Sequence, residues 1–425
     1  MLAESGDLDY LVLECLAERT IALAQLRKRR DPAAGYDPLL RRRVEMLLPI
    51  IKRNGVKLIS NFGAANPSGA ADEILAIACE QHIPIKVAVV LGDDVLDRIS
   101  PDRIALETGG PLSEFGDLVS ANAYLGAEAL LPALASGADI IVTGRVADPS
   151  LFVAPIAHHF GWSMTDLDRV ARGTVVGHLL ECAAQLCGGY FADPGIKDVP
   201  GLAYVGFPFA DVDQEGNAQL GKVEGTGGII TLATVKEQLL YEASDPGRYV
   251  TPDVTADFRQ VTLEQIGPDR VAVRGGRSSG RSPTLKVSVG YIAGFVGEGE
   301  MSYAGRNALA RARLAGEIIL QRLQPSFPNI RVDLIGSTSS HGRSFDAQEN
   351  PFEIRLRVAA RAATAEQAAI IGEEVEALYL NGPAGGGGAR KCLTEQVGIV
   401  STLIDRAEVT PYVTVKEWSN EPTTV

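Results

Sequence analysis

The chain has 425 residues, 46% hydrophobic and 22% charged, enough for about two globular domains and too apolar to be disordered by default. With 40 basic against 53 acidic side chains its net charge is -13, which disfavours nucleic acid and anionic membrane surfaces as partners. The cysteines, Cys15, Cys79, Cys182, Cys187 and Cys392, are scattered and form no C-x-x-C pair, which argues against a disulfide framework or a zinc cage. The start, Met-Leu-Ala-Glu-Ser-Gly-Asp, lacks a basic, apolar leader, and no run approaches the ~20 apolar residues of a membrane span. A cytoplasmic protein is expected.

In chain order, continuous apolar runs at 9–13, 56–60, 84–91 and 138–143 read as strands. Two helical stretches follow the first run, and helical patterns at 67–81 and 121–136 fall between the later ones. Apolar strands separated by amphipathic helices give an α/β class, a parallel sheet with helices on both faces. A long helix is predicted over 165–186, then short strands with glycine-rich turns over 200–234. Prolines and a glycine at 245–253 break both periodicities, so the expected domains are 1–245 and 246–425. The second reads as α+β with a substantially antiparallel sheet: strands at 284–291, 331–334 and 352–358, helices at 307–323 and 365–380.

Ligands of parallel α/β sheets bind outside the carboxyl ends of the strands, where loops converge and helix N-termini offer free N–H groups. The loops selected by that rule hold Glu14 and Glu18, then Asn61 and Asn66, then Asp93 and Asp94, then Arg145 and Asp148. Asn61 and Asn66 can bind a carboxylate or hydroxyl, and Arg145 can grip an anion in a bidentate fork. The carboxylates are candidates for acid–base work or for a hard divalent cation. Asn66 before Pro67 and Asp148 before Pro149 also fit helix N-caps, and Asp93 and Asp94 fit a surface turn.

Further candidates lie outside those loops. On the predicted helix, His178, Glu181, Cys182 and Gln185 fall at i, i+3, i+4 and i+7, placing polar and reactive groups on one face. His178 with Glu181 can shuttle protons; the alternative is a hydrogen-bonded interhelical strip. His82, His158 and His159 sit near helix ends and suggest no metal ligation. Lys222 and Glu224 precede a glycine-rich turn, as a catalytic pair or a surface ion pair before a hairpin. The run 385–388 includes Gly386 and Gly387 and leads to Arg390 and Lys391, fitting either an anion nest or a flexible loop. No NAD, FAD or ATP fingerprint occurs, since neither G-x-G-x-x-G after a strand nor a P-loop is present.

Several of these segments together resemble the acyclic terpene utilisation AtuA family (DUF1446). They are Asp9-Tyr10-Leu11-Val12-Leu13-Glu14-Cys15-Leu16-Ala17-Glu18, Thr143-Gly144-Arg145-Val146-Ala147-Asp148, the 177–189 segment with Tyr190-Phe191-Ala192-Asp193-Pro194-Gly195, and Val223-Glu224-Gly225-Thr226-Gly227-Gly228. The likeness continues through 231–257 and Ser302-Tyr303-Ala304-Gly305 to the glycine run. It implies a cytoplasmic catabolic protein for branched terpenoid acids and other small carboxylic or acyl compounds. It also implies a separate small ferredoxin-like partner subunit, and it singles out Glu14, Glu18, Arg145 and Asp148. Family members carry an extra strand and glycine-rich loop before the segment matching Gly6-Asp7-Leu8-Asp9. The resemblance therefore implies a sheet short of one strand.

These residues support a lyase-type enzyme that adds or removes water at a small carboxylate or its acyl-CoA thioester. His178, Glu181, Glu224 and Asp148 would carry the acid–base steps. Arg145, Asn61, Asn66, Glu14, Glu18, Gln185, Lys222, Gly386 and Gly387 would bind substrate. The alternatives are a metal-assisted hydrolase and a non-catalytic acyl-binding or scaffold subunit. A homo-oligomer is expected.

Overall fold

The structure, a computed structural model, describes residues 1–5, 7–342 and 351–419. From the N-terminus run β1 (Tyr10–Leu13), α1 (Glu18–Arg30), α2 (Leu40–Asn54), β2 (Lys57–Ser60), α3 (Pro67–Glu80) and β3 (Ile85–Leu91). They are followed by β4 (Leu118–Ala123), α4 (Leu131–Ala135), β5 (Ile140–Thr143), α5 (Ser150–Phe160) and α6 (Leu167–Leu180). Shorter elements come next: β6 (Pro208–Val212), β7 (Ala218–Lys222), α7 (Leu232–Leu240), β8 (Tyr249–Val250), β9 (Thr255–Asp257), β10 (Thr262–Gly267), β11 (Arg270–Arg274) and β12 (Arg277–Ser278). The remainder is β13 (Thr284–Ala304), α8 (Ala308–Leu323), β14 (Arg331–Ile335), β15 (Glu353–Ala362), α9 (Ala365–Asn381), β16 (Gly387–Asp405) and β17 (Tyr412–Trp418).

The principal sheet has the order β1-β2-β5-β3-β17, with β1, β2, β5 and β3 parallel and β17 antiparallel against β3. All four residues of β5 are buried, as expected of a central strand covered on both faces. Alternation divides the strand residues between the faces. Leu58, Val87, Val89, Ile140 and Val142 join Val44, Leu48, Ile74 and Ile77 of α2 and α3 in one core. The intervening Ile59, Ala88, Val90 and Ile141 are equally buried and point to the opposite face. On the sheet, α4 packs against β3 and β17, and α5 against β1. The mixed α/β class follows, with parallel and antiparallel sheets together. A four-stranded antiparallel sheet, β10-β11-β7-β6, and a small one, β12-β9-β8, complete the middle of the chain.

The chain divides into two compact units: Met1–Glu114, Leu118–Gly290 and Ile399–Val425 form one, Phe115–Asp117 and Tyr291–Gly398 the other. The division differs from a cut after residue 245, because β13 and β16 each run through a unit boundary. In the second unit β15 pairs antiparallel with β13 and β14, and α8 and α9 pack on it. Its core is built from Met301, Tyr303, Leu356 and Val358 against Ala312, Ile319, Ile371 and Val375.

Two local expectations change. The segment 121–136 is not one helix: β4 takes its beginning and only Leu131–Ala135 is α-helical. The helix predicted over 165–186 stops at Leu180, because the chain turns there and Ala183 takes φ +48°, which no α-helical residue has.

Candidate functional site

Because β5 lies between β2 and β3, the loop after it is flanked by the ends of both. That loop begins with Gly144, and a Cβ there would stand 2.5 Å from Asp93 Oδ2, so only glycine admits the buried carboxyl. Asp93 accepts from Arg145 N at 2.8 Å and from Asn122 Nδ2 at 2.9 Å. Burial raises its pKa to about 6 despite those donors, with Asp94 adding to the rise.

Arg145 is 2% exposed. Its Nη1 donates to Leu16 O, its Nη2 to Asp148 Oδ1 at 2.9 Å, and its guanidinium lies 4.1 Å from the Tyr124 ring centre. It is expected to grip a substrate anion; in the structure its terminal nitrogens hold Leu16 and Asp148 instead. Glu18 is fixed beside it, accepting from Tyr124 Oη at 2.5 Å and from Lys286 Nζ at 3.2 Å. Burial opposes ionisation of Glu18, but the Tyr124 hydroxyl and the Arg145 and Lys286 charges prevail and lower its pKa to about 2. Burial likewise drives the Tyr124 phenol upward.

At the end of β2, Asn61 is fully buried and positions the residues that follow β1. Its Oδ1 accepts from Cys15 N at 2.7 Å and its Nδ2 donates to Glu14 Oε1 at 2.9 Å, an oxygen that also accepts from Leu16 N at 2.7 Å. Burial pushes the Cys15 thiol up to about 11 although Arg43 opposes the rise, which disfavours the thiolate.

The predicted His178–Glu181 pair forms, with Nδ1 and Oε1 3.0 Å apart and side chains 1% and 10% exposed. A Cβ on Gly177 would sit 2.6 Å from Pro149 O, so glycine lets α6 lie against the start of α5 beside Asp148. The imidazole packs against Tyr249 and Phe258, with ring centres 4.8 and 5.4 Å away. Glu181 Oε2 and His178 Nε2 are buried with no hydrogen-bond partner among the described residues. Gln185 does not share this face, because the helix has already ended; Cys182 stays close enough to sense Glu181 and is pushed up to about 11 by burial.

Asp148 completes the cluster. Burial raises its pKa, Arg145 opposes the rise, and the charges of Glu14, Glu181 and Glu18 add to it. Burial raises Glu181 too, partly offset by His178. Glu14, Glu18 and Glu181 are thus near enough to Asp148 to repel its charge, and burial with that repulsion makes Asp148 and Glu181 hold their protons more tightly than isolated carboxyls do. Among the described residues no group of three or more His, Cys, Asp or Glu side chains is placed to hold a metal ion.

Other predicted residues take different parts. Asn66 caps α3, accepting from Gly69 N at 3.0 Å while its Nδ2 donates to Ala34 O at 2.9 Å. Asp148 does not cap α5, since its carboxyl is turned to Arg145. Lys222 pairs with Asp269 at 3.1 Å and donates to Thr226 O at 2.9 Å, leaving Glu224 exposed on its turn. Gly386 and Gly387 belong to the second unit, where Gly386 lies against Met301 and Tyr303. Tyr124 and Tyr249 were not among the predicted candidates; an aromatic ending a buried apolar run, as in Asn122-Ala123-Tyr124-Leu125, is the signal that could have found the first.

A groove of about 690 Å³ opens beside the cluster, with Glu14, Cys15 and Glu181 in its lining. No helix among the described residues is long and apolar enough to cross a membrane. Comparison with curated proteins and with solved structures gives no match for this chain. The family model for the acyclic terpene utilisation family protein AtuA matches residues 1–415, and the chain belongs to that family.

Proposed function

We propose that this AtuA-family protein is a catabolic enzyme that adds or removes water at a small branched carboxylic acid or its acyl thioester. The observation that carries the reading is the Asp148 carboxyl, one-third exposed, held by Arg145 and facing Glu14 and Glu181, where burial and those carboxylates push its pKa well above the ordinary carboxyl range. A carboxyl that holds its proton near neutral pH is a general acid.

In the dehydration direction Asp148 protonates the departing β-hydroxyl, which leaves as water. The Glu181–His178 pair takes the proton from the α-carbon at the free Oε2, and the electron pair of that C–H bond becomes the new double bond. The imidazole hydrogen bond at Oε1 favours ionised Glu181, so opposite protonation states for Asp148 and Glu181 relieve their mutual repulsion. Arg145 and Asn61 are positioning residues, fixing Asp148 and Glu14. Cytoplasmic residence, a homo-oligomeric state and a separate small partner subunit belong to the same proposal.

The test is a panel of branched 3-hydroxy and 2,3-unsaturated acids and their thioesters, read by the ultraviolet absorbance of the conjugated product. Turnover is expected from wild type and not from Asp148→Asn or Glu181→Gln. Undiminished turnover in both variants would overturn the assignment.

A further inference from the structure

A second hollow, of about 240 Å³, is lined by residues of the first compact unit alone: the stretch after β4, the start of β13 and the turn that leads into β17. None of Glu14, Glu18, Asp148 and Glu181 reaches it. Leu125, Leu285, Val409 and Val413 make its lining apolar, and Arg406 brings a guanidinium to it. That guanidinium is anchored through one nitrogen: Nη2 donates to Pro252 O and, at 3.2 Å, to Ser282 O. Among the described residues Nε and Nη1 make no hydrogen bond, and the side chain has no ion pair.

The two carboxyls close enough to favour the Arg406 charge are committed elsewhere. Glu128 accepts from Arg281 through both oxygens, at 2.8 and 2.6 Å, and buried Asp253 accepts from Ser150 Oγ at 2.5 Å and from Ala127 N at 2.8 Å. Burial and the charge of Arg281 both disfavour the Arg406 cation, so its charge is under-compensated where it stands. An apolar lining calls for hydrocarbon, and an unpaired guanidinium calls for an anionic acceptor. The hollow is smaller than the roughly 300–1,000 Å³ of sites for drug-sized ligands, so a molecule meeting both demands is short. We propose that it is a binding site for a short aliphatic carboxylate, the carboxylate on Arg406 and the hydrocarbon against Leu125, Leu285 and Val413. The site is distinct from the carboxyl cluster and does not depend on the reaction proposed above.

The experiment uses the full chain with 3-methylbutyrate, its uncharged analogue 3-methylbutanamide and inorganic phosphate as probes. Hydrogen exchange locates the binding and calorimetry measures it. 3-Methylbutyrate is expected to slow exchange across residues 406–413 and to bind about ten-fold or more tightly than the amide, since a charge-assisted hydrogen bond is lost with the carboxylate. Phosphate, which has no hydrocarbon to bury, should leave that segment unprotected. Arg406→Gln removes the charge, and Pro132→Phe, at an exposed lining position at the start of α4, fills the hollow with the guanidinium intact. Each variant that melts as wild type does should lose the protection, whereas Glu181→Gln, in the separate cluster, should keep it.

No protection of 406–413 by 3-methylbutyrate in wild type would overturn the proposal, and so would protection that persists in a folded Arg406→Gln. Equal protection by the amide would make the hollow a purely apolar site, and equal protection by phosphate a general anion site; either result overturns it. Protection lost in Glu181→Gln would trace the effect to the carboxyl cluster, again overturning it. The comparison of acid, amide and phosphate is made on wild type, so it decides the matter even if both variants fail to fold.

Discussion

Arg145 Nη2 and Asp148 Oδ1 meet at 2.9 Å across three residues of the loop after β5, the guanidinium 2% exposed and the carboxyl 33%. The pair is asymmetric: its cation is locked inside the protein while its acid reaches solvent. Replacing Arg145 by alanine would orphan Leu16 O and remove the cation that opposes the rise at Asp148. Breaking a buried pair from one side costs about 3–5 kcal/mol. Chemical denaturation of Arg145→Ala should show a loss of that order; a loss under about 1 kcal/mol would mean that the pair behaves like an exposed one.

Asp148→Asn should separate activity from stability. Removing a general acid lowers kcat by about 10²–10⁴-fold. The unfolded carboxyl ionises near 3.8, whereas the folded one keeps its proton to higher pH. Its contribution to stability is therefore greatest below 3.8 and declines as pH rises through the folded value. Asparagine, which never ionises, should leave the protein at least as stable at neutral pH. Wild-type kcat should fall as pH rises and the acid is lost, and that alkaline limb should be missing from the residual activity of the variant. A limb retained in Asp148→Asn would place the acid on another residue.

Asp93 offers a pH test of folding alone. Its pKa rises from 3.8 to about 6 because burial outweighs the Arg145 and Asn122 donors. The folded state then binds the proton more tightly than the unfolded one, so stability falls between pH 3.8 and 6 and is level above. The shift corresponds to on the order of 3 kcal/mol. Asp93→Asn should gain relative to wild type by about that much between pH 3.5 and 7, as followed by denaturant midpoints. A difference independent of pH would show that Asp93 ionises as freely in the folded state.

What the sequence could reveal of the site depended on how local the signal was. Glu14, Arg145 and Asp148 follow apolar runs too continuous to be anything but buried strands, so their placement at strand ends was readable. His178 and Glu181 are one helical turn apart, and their pairing needs only the helix. Gln185 required the helix to continue, and the left-handed Ala183 ends it, which no composition signal at that alanine announces. Tyr124 was hidden because 121–136 is rich in alanine and leucine, good helix formers, while burial in the sheet overrides propensity at β4. The insertion of β5 between β2 and β3 is a long-range choice. It sets which loops meet, and no periodicity encodes it.

Gly177 tests whether the approach of two helices assembles the cluster. A Cβ at that position would stand 2.6 Å from Pro149 O and 2.9 Å from Pro149 Cα, backbone atoms that cannot rotate away. Gly177→Ala must therefore push α6 off the start of α5, at about 1–3 kcal/mol for overpacking. The same displacement draws Glu181 away from Asp148, so the raised carboxyl values should relax and activity should fall further than stability. Gly173→Ala on the same helix is the control. Its Cβ would meet side chains alone, the Trp162 ring at 3.2 Å and Val153 Cγ2 at 3.6 Å, and the gain of up to ~1 kcal/mol in helix propensity offsets that crowding. Thermal melts and turnover of both variants decide the matter. Gly177→Ala as stable and active as Gly173→Ala would mean that the α5–α6 contact does not govern the site.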